Sequence, residues 1–264
     1  MFPYITLGGI NIYMTGIGII VTIFIFLFLV RYYASKFKLD FWKFFDFFPL
    51  MILLPYLFGN YFHYFFSSAL FFPLTIGDLL LILSPYGFKF SFIGVSLGLL
   101  ISIVLFLKKV KISSERLKRI DVFFYATSLS VVFFGVFLTL GDNFIGRQTE
   151  SYLSITSFME DSELNKYSKV YPVGLFLSIV ALLTYIITFI LQFTKKKHGL
   201  GIVGFITFIL MLNIVFYFQK YDQHLVSSRF GISLLGRSFD VKNYWTIILS
   251  LLSAYYYLKL TKVK

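Results

Sequence analysis

Seven long apolar runs dominate this sequence, and they restrict what the chain can fold into. Each run has close to the ~20 residues that a helix needs to cross a hydrocarbon core of roughly 30 Å. No stretch between the runs is long enough to build a hydrophobic core of its own. We therefore predict an all-α integral membrane protein with one membrane domain, residues 1–264, and about seven transmembrane helices, covering 10–30, 44–66, 90–107, 122–140, 173–193, 202–218 and 244–260.

Composition supports a membrane environment. Hydrophobic residues make up 58% of the chain and charged residues only 14%, whereas an ordinary soluble domain carries roughly 25% charge. The chain has no cysteine, which excludes disulfides, thiolate catalysis and cysteine-ligated metals. We expect no cofactor and no metal. No basic residue precedes the first run and no small-residue cleavage site follows it, so that run is predicted to be a retained helix rather than a signal peptide.

The distribution of charge predicts the topology. Basic residues gather beside alternate ends of the apolar runs, which is how orientation is encoded, and nucleic acid is therefore not expected as a partner. The first, third and fifth loops and the tail hold sixteen of the 24 basic residues and four of the 12 acidic residues. Lysine and arginine resist translocation, so this side is predicted to be cytoplasmic and the amino terminus to lie outside.

Three outer loops follow from this topology, at about 67–89, 141–172 and 219–243. The short apolar segment at about 74–84 lies in the first of them, between Pro73 and Pro85. It is too short to span a bilayer, so we expect an interfacial or re-entrant piece. The second loop is acidic at MEDSELNK, whereas the third is basic.

The densest polar cluster follows the fourth run, in the sequence GDNFIGRQTE (141–150). It provides the predicted headgroup-binding residues Asp142, Asn143, Gly146 and Arg147. Glycine lets the backbone turn tightly near a ligand, and an arginine can clamp a phosphate or carboxylate with two hydrogen bonds. The alternative is an ion pair between Asp142 and Arg147 that merely ends a helix.

Two further arginines, Arg229 and Arg237, lie in the basic outer loop. Anionic lipid headgroups are their expected partners, and plain solvation is the alternative. His63, within the second run, is the candidate general base, although a lone histidine among aromatic residues is more often packed and hydrogen-bonded. His198 follows three lysines and is predicted to be topogenic or lipid-facing. Asp121 is predicted to cap the start of its own helix.

The layout resembles the bacterial prolipoprotein diacylglyceryl transferase family along nearly the whole chain, in pattern only. The opening FPYITLGGINIYMTGIGIIVTIF is similar to that family's aromatic-proline start, strand-like stretch and entry into the first helix. FKFSFIGVSLGLLIS resembles its histidine-containing helix, and GDNFIGRQTE sits where its signature motif lies. KKKHGLGIVGFITFILMLNIVFYF and GISLLGRSFD resemble the last two helices and the turn between them.

The resemblance implies a multi-pass protein of the bacterial inner (cytoplasmic) membrane, with phosphatidylglycerol as lipid donor and a lipoprotein cysteine as acceptor. The family's chemical groups are missing, however. Ile93 stands at the position of the catalytic histidine, Thr15 at that of a tyrosine, and Thr139 at that of the signature arginine. The paired arginine and glutamate of the sixth helix fall near Asn213 and Phe216. Fold can persist where activity does not.

We therefore expect a divergent, non-catalytic relative, a pseudoenzyme that binds phospholipid or docks a membrane partner through a cavity open to the outer leaflet. One alternative is an active transferase with rewired residues, in which His63 is the base and Arg147 clamps the phosphate. Another is a structural subunit of a larger membrane complex, with a lipoprotein or other membrane-protein subunits as partners.

Overall fold

The computed structural model describes residues 4–7, 10–67, 92–110, 113–141, 146–158, 167–218, 232–234, 237–239 and 241–262. This part of the chain is mostly helical. Its helices are α1 (Met14–Lys36), α2 (Trp42–Phe45), α3 (Phe48–Ser67), α4 (Phe92–Lys108), α5 (Ser113–Leu140), α6 (Val173–Lys195), α7 (Gly201–Tyr217) and α8 (Val241–Lys262).

Four helical segments are long and apolar enough to cross a membrane: Met14–Lys36, Trp42–Phe62, Ser114–Leu140 and Val173–Lys195. Two shorter apolar helical segments, Ile93–Lys108 and Gly201–Leu212, accompany them in the described residues. Each of the seven predicted runs lies largely on one of the helices α1 and α3 to α8. The predicted interfacial segment at 74–84 lies outside the described residues.

The described part of the chain also contains three short antiparallel hairpins. β1 (Tyr4–Leu7) pairs with β2 (Ile10–Tyr13), β3 (Ile155–Phe158) with β4 (Tyr167–Val170), and β5 (Ile232–Leu234) with β6 (Arg237–Phe239). The predicted start of the first helix at residue 10 was therefore too early, because 10–13 form a strand and α1 begins at Met14. β3 and β4 lie in the predicted second outer loop, and β5 and β6 in the third.

The chain divides into two compact units. The first contains Met1–Leu39, Leu117–Asp222 and Thr246–Lys264. Within it, α5 and α6 approach at small residues: a side chain at Gly135 would overlap Gly174 and Ser178 of α6. Ser178 Oγ also donates a hydrogen bond of 2.7 Å to the carbonyl of Val132. Small residues permit this close backbone approach, and the serine joins the two helices directly.

Helix α5 also packs closely on α1 and α7 in this unit. A side chain at Gly18 of α1 would overlap Phe137, and one at Gly141, just past α5, would overlap Thr15. On the other side, Gly204 of α7 lies against the ring of Phe124. Helix α5 therefore contacts three neighbours, and Phe124 is almost completely buried.

The second unit contains Asp40–Arg116 and Gln223–Trp245. Helix α4 approaches α3 closely at Gly94 and Gly98, whose spacing of four residues suits close helix packing. A side chain at Gly94 would meet the carbonyl of Phe58, and one at Gly98 would meet that of Leu54, both in α3. The indole Nε1 of Trp245 donates a 2.8 Å hydrogen bond to Ser96, so α8 begins against α4.

Candidate functional site

The predicted headgroup-binding residues are described in part. Gly146 and Arg147 are described, whereas Asp142, Asn143 and Arg229 lie outside the described residues. Arg237 is described only through its backbone, which pairs with Leu234 in the β5–β6 hairpin. The candidate base His63 lies in α3, and its side chain is likewise outside the description. The grouping of these side chains into one site therefore stays a prediction.

The backbone of Arg147 is held between two other segments of the first unit. Its N–H donates to the carbonyl of Phe218 at 3.0 Å, and its carbonyl accepts from the N–H of Tyr171 at 3.1 Å. The preceding Gly146 is buried, and a side chain there would collide with the Tyr171 carbonyl. Arg147 thus joins the chain just before α6 to the chain just after α7, and its position requires a glycine beside it.

The residues after Arg147 continue this pairing. Gln148 forms an isolated bridge with Val170, and the N–H of Thr149 donates to the carbonyl of Lys169 at 2.9 Å. The segment therefore runs antiparallel to the end of β4. These neighbouring segments satisfy its backbone hydrogen bonds. They thereby fix the direction in which the half-buried side chain of Arg147 leaves the backbone.

Aromatic rings pack beneath this corner. The rings of Tyr171 and Phe218 meet edge to face with centroids 4.9 Å apart, and those of Phe176 and Phe218 are 5.4 Å apart. Such pairs stabilise by about 0.5–1.5 kcal/mol beyond the apolar area that they bury. The end of the helices that carries Arg147 is here named the Arg147 corner. It combines an arginine whose backbone is held by hydrogen bonds with a cluster of three aromatic rings.

Three positions at which the resemblance would place chemical groups serve packing here. Thr139 is buried, donates a hydrogen bond to the Gly135 carbonyl at 2.9 Å and lies against Gly174. Ile93 is buried at the start of α4, and Thr15 lies against Gly141. These three side chains offer neither a cation nor a general base.

A second polar site, which the sequence reasoning missed, lies at the other end of the same helices. Its centre is Asp121, whose side chain is completely buried. One carboxylate oxygen accepts from the N–H of Gly199 and the other from the N–H of Gly201, each at 2.8 Å. Gly201 begins α7, so this carboxylate satisfies backbone donors at a helix amino terminus, where the dipole favours negative charge.

Side chains from α6 and its following loop surround Asp121. Gln192 Nε2 lies 3.4 Å from Asp121 Oδ2, and Gln192 Oε1 accepts a hydrogen bond from the Tyr125 hydroxyl. His198 Nδ1 lies 3.6 Å from the same carboxylate oxygen, and its ring meets the edge of Phe37 with centroids 5.3 Å apart. The side chain of His198 remains 40% exposed. This Asp121 network ties α1, α5, α6 and the start of α7 together.

Tyrosines extend the network along α1. The hydroxyls of Tyr33 and Tyr185 are 2.7 Å apart, and the ring centroids of Tyr33 and Tyr125 are 5.3 Å apart. Tyr33 is buried. The ends of α1 and α6 and the beginning of α5 therefore meet here. This is also the end with Lys36, Lys118 and Lys195, and it is named the basic end below.

One prediction is corrected at the basic end. Asp121 does cap a helix, but not its own: it lies eight residues beyond the first residue of α5 and caps α7. The ring of His198 packs on Phe37 beside Asp121, and its predicted topogenic role stays a prediction. Gln192 was the signal that sequence reasoning passed over, since it is a polar residue near the end of an apolar run.

Within the described ranges, no group of three or more histidine, aspartate or glutamate side chains could hold a metal ion. No protein-family model matches the chain, and no curated protein matches it.

Proposed function

We propose that this chain is a multi-pass protein of the bacterial inner membrane, a divergent and non-catalytic relative of the diacylglyceryl transferases. It binds phospholipid through a cavity open to the outer leaflet. In this proposal about seven helices cross the membrane, with the amino terminus outside. Asp142, Asn143, Gly146 and Arg147 line the headgroup end of the cavity, and Arg229 and Arg237 are further candidates for headgroup binding.

The fixed position of Arg147 is the observation that carries the proposal. Its backbone is hydrogen-bonded to Tyr171, just before α6, and to Phe218, just after α7, and its side chain is half-buried. An apolar helix that spans a membrane ends near the headgroups. A guanidinium there is at headgroup depth, and its fork matches two phosphate oxygens. The aromatic rings beneath it suit the boundary between acyl chains and headgroups.

The orientation is supported by the charge asymmetry of the helix ends. Tyr33, Tyr125 and Tyr185 show that the carboxyl ends of α1 and α6 and the amino end of α5 lie together. These ends adjoin the lysine-rich segments, so a single rule, retention of lysine and arginine in the cytoplasm, orients them all.

Because the chain has no native cysteine, single-cysteine labelling gives a clean test of orientation. We expect a membrane-impermeant maleimide added to intact cells to label Ser151→Cys, near the Arg147 corner, and to leave Lys197→Cys unlabelled until the cells are opened. The reverse pattern would overturn the orientation, and with it the outer-leaflet site.

The absence of catalysis is supported by the three packing positions. Thr139, Ile93 and Thr15 occupy the places where the resemblance puts an arginine, a histidine and a tyrosine, and each is engaged in helix packing. Without a cation at the first position and a base at the second, lipid binding is the property that remains.

The lipid-binding proposal is tested by measuring phospholipid that co-purifies with the protein in mild detergent. We expect the wild type to retain phospholipid and Arg147→Ala to lose most of it. Arg147→Lys keeps the charge but not the two-pronged geometry, so an intermediate amount is expected. Lys169→Ala is the matched control, because Lys169 is an exposed cation two strand positions from the same corner. Equal phospholipid in all four proteins would refute the proposal.

A further inference from the structure

A groove at the basic end runs along the surface of α1. Its volume is about 410 Å³, and its lining consists of Phe28, Arg31, Tyr32, Ser35 and Lys36. These residues recur at spacings of three and four, so they share one face of the helix. None of the five is acidic. The groove is therefore apolar at one end and positively charged at the other.

An apolar stripe leads into this groove. Ile20, Phe24, Phe28 and Tyr32 are spaced by four residues and are 57%, 69%, 68% and 55% exposed. With a rise of 1.5 Å per residue the stripe is about 18 Å long. One leaflet contributes about 15 Å to the hydrocarbon core, so the stripe matches the length of one leaflet's acyl chains.

The groups at the charged end are held in position by neighbours. The Lys36 ammonium lies 5.4 Å from the centroid of the Phe189 ring of α6, within the range of a cation–π contact. The ring of Tyr32 meets that of Tyr33 edge to face, with centroids 5.2 Å apart. The hydroxyl of Tyr33 is in turn hydrogen-bonded to that of Tyr185. The backbone of α1 beside the groove is therefore anchored to α6 through the Tyr33–Tyr185 pair, and Lys36 is positioned by the Phe189 ring.

We propose that this groove is a binding site for an anionic phospholipid of the leaflet at the basic end. Its acyl chains lie along the stripe from Ile20 to Tyr32, its phosphate lies between Arg31 and Lys36, and Ser35 donates a hydrogen bond to it. The two cations select an anionic headgroup over a zwitterionic one. The site is separate from the Arg147 corner and does not rest on the function proposed there.

Native mass spectrometry of the full chain in detergent, titrated with phosphatidylglycerol or with phosphatidylcholine of the same acyl chains, tests the site. Each cation near an anionic lipid contributes about fivefold to binding, so removing two weakens it about 30-fold. We expect that loss of phosphatidylglycerol affinity in the double variant Arg31→Gln/Lys36→Gln. Ser35→Asp leaves both cations in place and should also weaken binding, by repulsion.

Matched controls separate the groove from general surface charge and from the outer site. Lys195→Gln/Lys197→Gln removes two exposed charges at the same end without touching the groove, so its affinity should equal that of the wild type. The proposal is overturned if that control loses as much as Arg31→Gln/Lys36→Gln, or if phosphatidylcholine binds as tightly as phosphatidylglycerol. It is also overturned if Arg147→Ala abolishes the same bound lipid. If Arg147→Ala loses a different bound lipid, or loses no lipid, the result supports a separate site in the groove.

Discussion

Replacing Asp121 by asparagine should destabilise the protein strongly while changing almost no volume. The wild-type carboxylate accepts two N–H groups, from Gly199 and Gly201, each at 2.8 Å. Asparagine has one acceptor oxygen, and its amide nitrogen would face the second N–H as a donor. One buried backbone N–H would therefore lose its acceptor. The other would have a neutral acceptor in place of a charged one.

The magnitude follows from these contacts. A buried donor left without a partner costs about 1–3 kcal/mol, and a hydrogen bond to a charged group is stronger than a neutral one by about 1 kcal/mol. Loss of the negative charge at the amino end of α7 adds roughly 0.5–2 kcal/mol, since the site is fully buried. The sum is about 2.5–6 kcal/mol, with a middle value of about 4 kcal/mol. At roughly 2–4 °C per kcal/mol, the melting temperature should fall by about 10 °C.

Thermal unfolding in one detergent is the assay, with Asp46→Asn as matched control. Asp46 is an exposed aspartate that belongs to the chain between α2 and α3, so its substitution should shift the melting temperature by less than about 2 °C. Hydrogen exchange supplies a local readout, because the amides of Gly199 and Gly201 should exchange faster in Asp121→Asn. A melting temperature equal to that of Asp46→Asn, with unchanged exchange at these amides, would refute the capping role.

Three further predictions concern packing, the tyrosine pair and chemistry. Gly98→Ala should cost about 1–3 kcal/mol, because its side chain meets the α3 backbone, whereas Gly16→Ala, which has open space, should not destabilise; equal melting temperatures would contradict the packing. A double-mutant cycle of Tyr33→Phe and Tyr185→Phe should give a coupling of about 1 kcal/mol from their shared hydrogen bond, and strict additivity would argue against that bond. Purified protein should transfer no diacylglyceryl group to a lipobox peptide, and turnover that His63→Ala abolishes would restore the active-transferase alternative.

The helical part of the fold was predictable because lipid imposes a length on each apolar run. The runs at 122–140 and 173–193 fall on α5 and α6 with their ends at Leu140 and Val173 reproduced. The predicted first helix began too early, since INIY (10–13) is mostly apolar and a short apolar segment does not by itself distinguish a strand from a helix. Its pairing with β1 decides the matter.

The polar sites were predictable to different degrees. The cluster at 141–150 stood out because its polar residues are adjacent in sequence, but the hydrogen bonds that hold Arg147 come from Tyr171 and Phe218, far along the chain. The Asp121 network was missed for the same reason. Its carboxylate and the donors from Gly199 and Gly201 are 78 and 80 residues apart. A local sequence pattern does not indicate a contact between residues that are so far apart.

The Asp121 cap has a consequence for biogenesis. The ribosome makes α5 well before Gly199 and Gly201, so a nascent chain that has just completed α6 carries a carboxylate whose backbone donors do not yet exist. We expect α5 to reach its final depth only when α7 arrives, and a polypeptide truncated before residue 199 to leave Asp121 without these donors, where an ionisable group in a membrane segment costs roughly 2.5–3.5 kcal/mol.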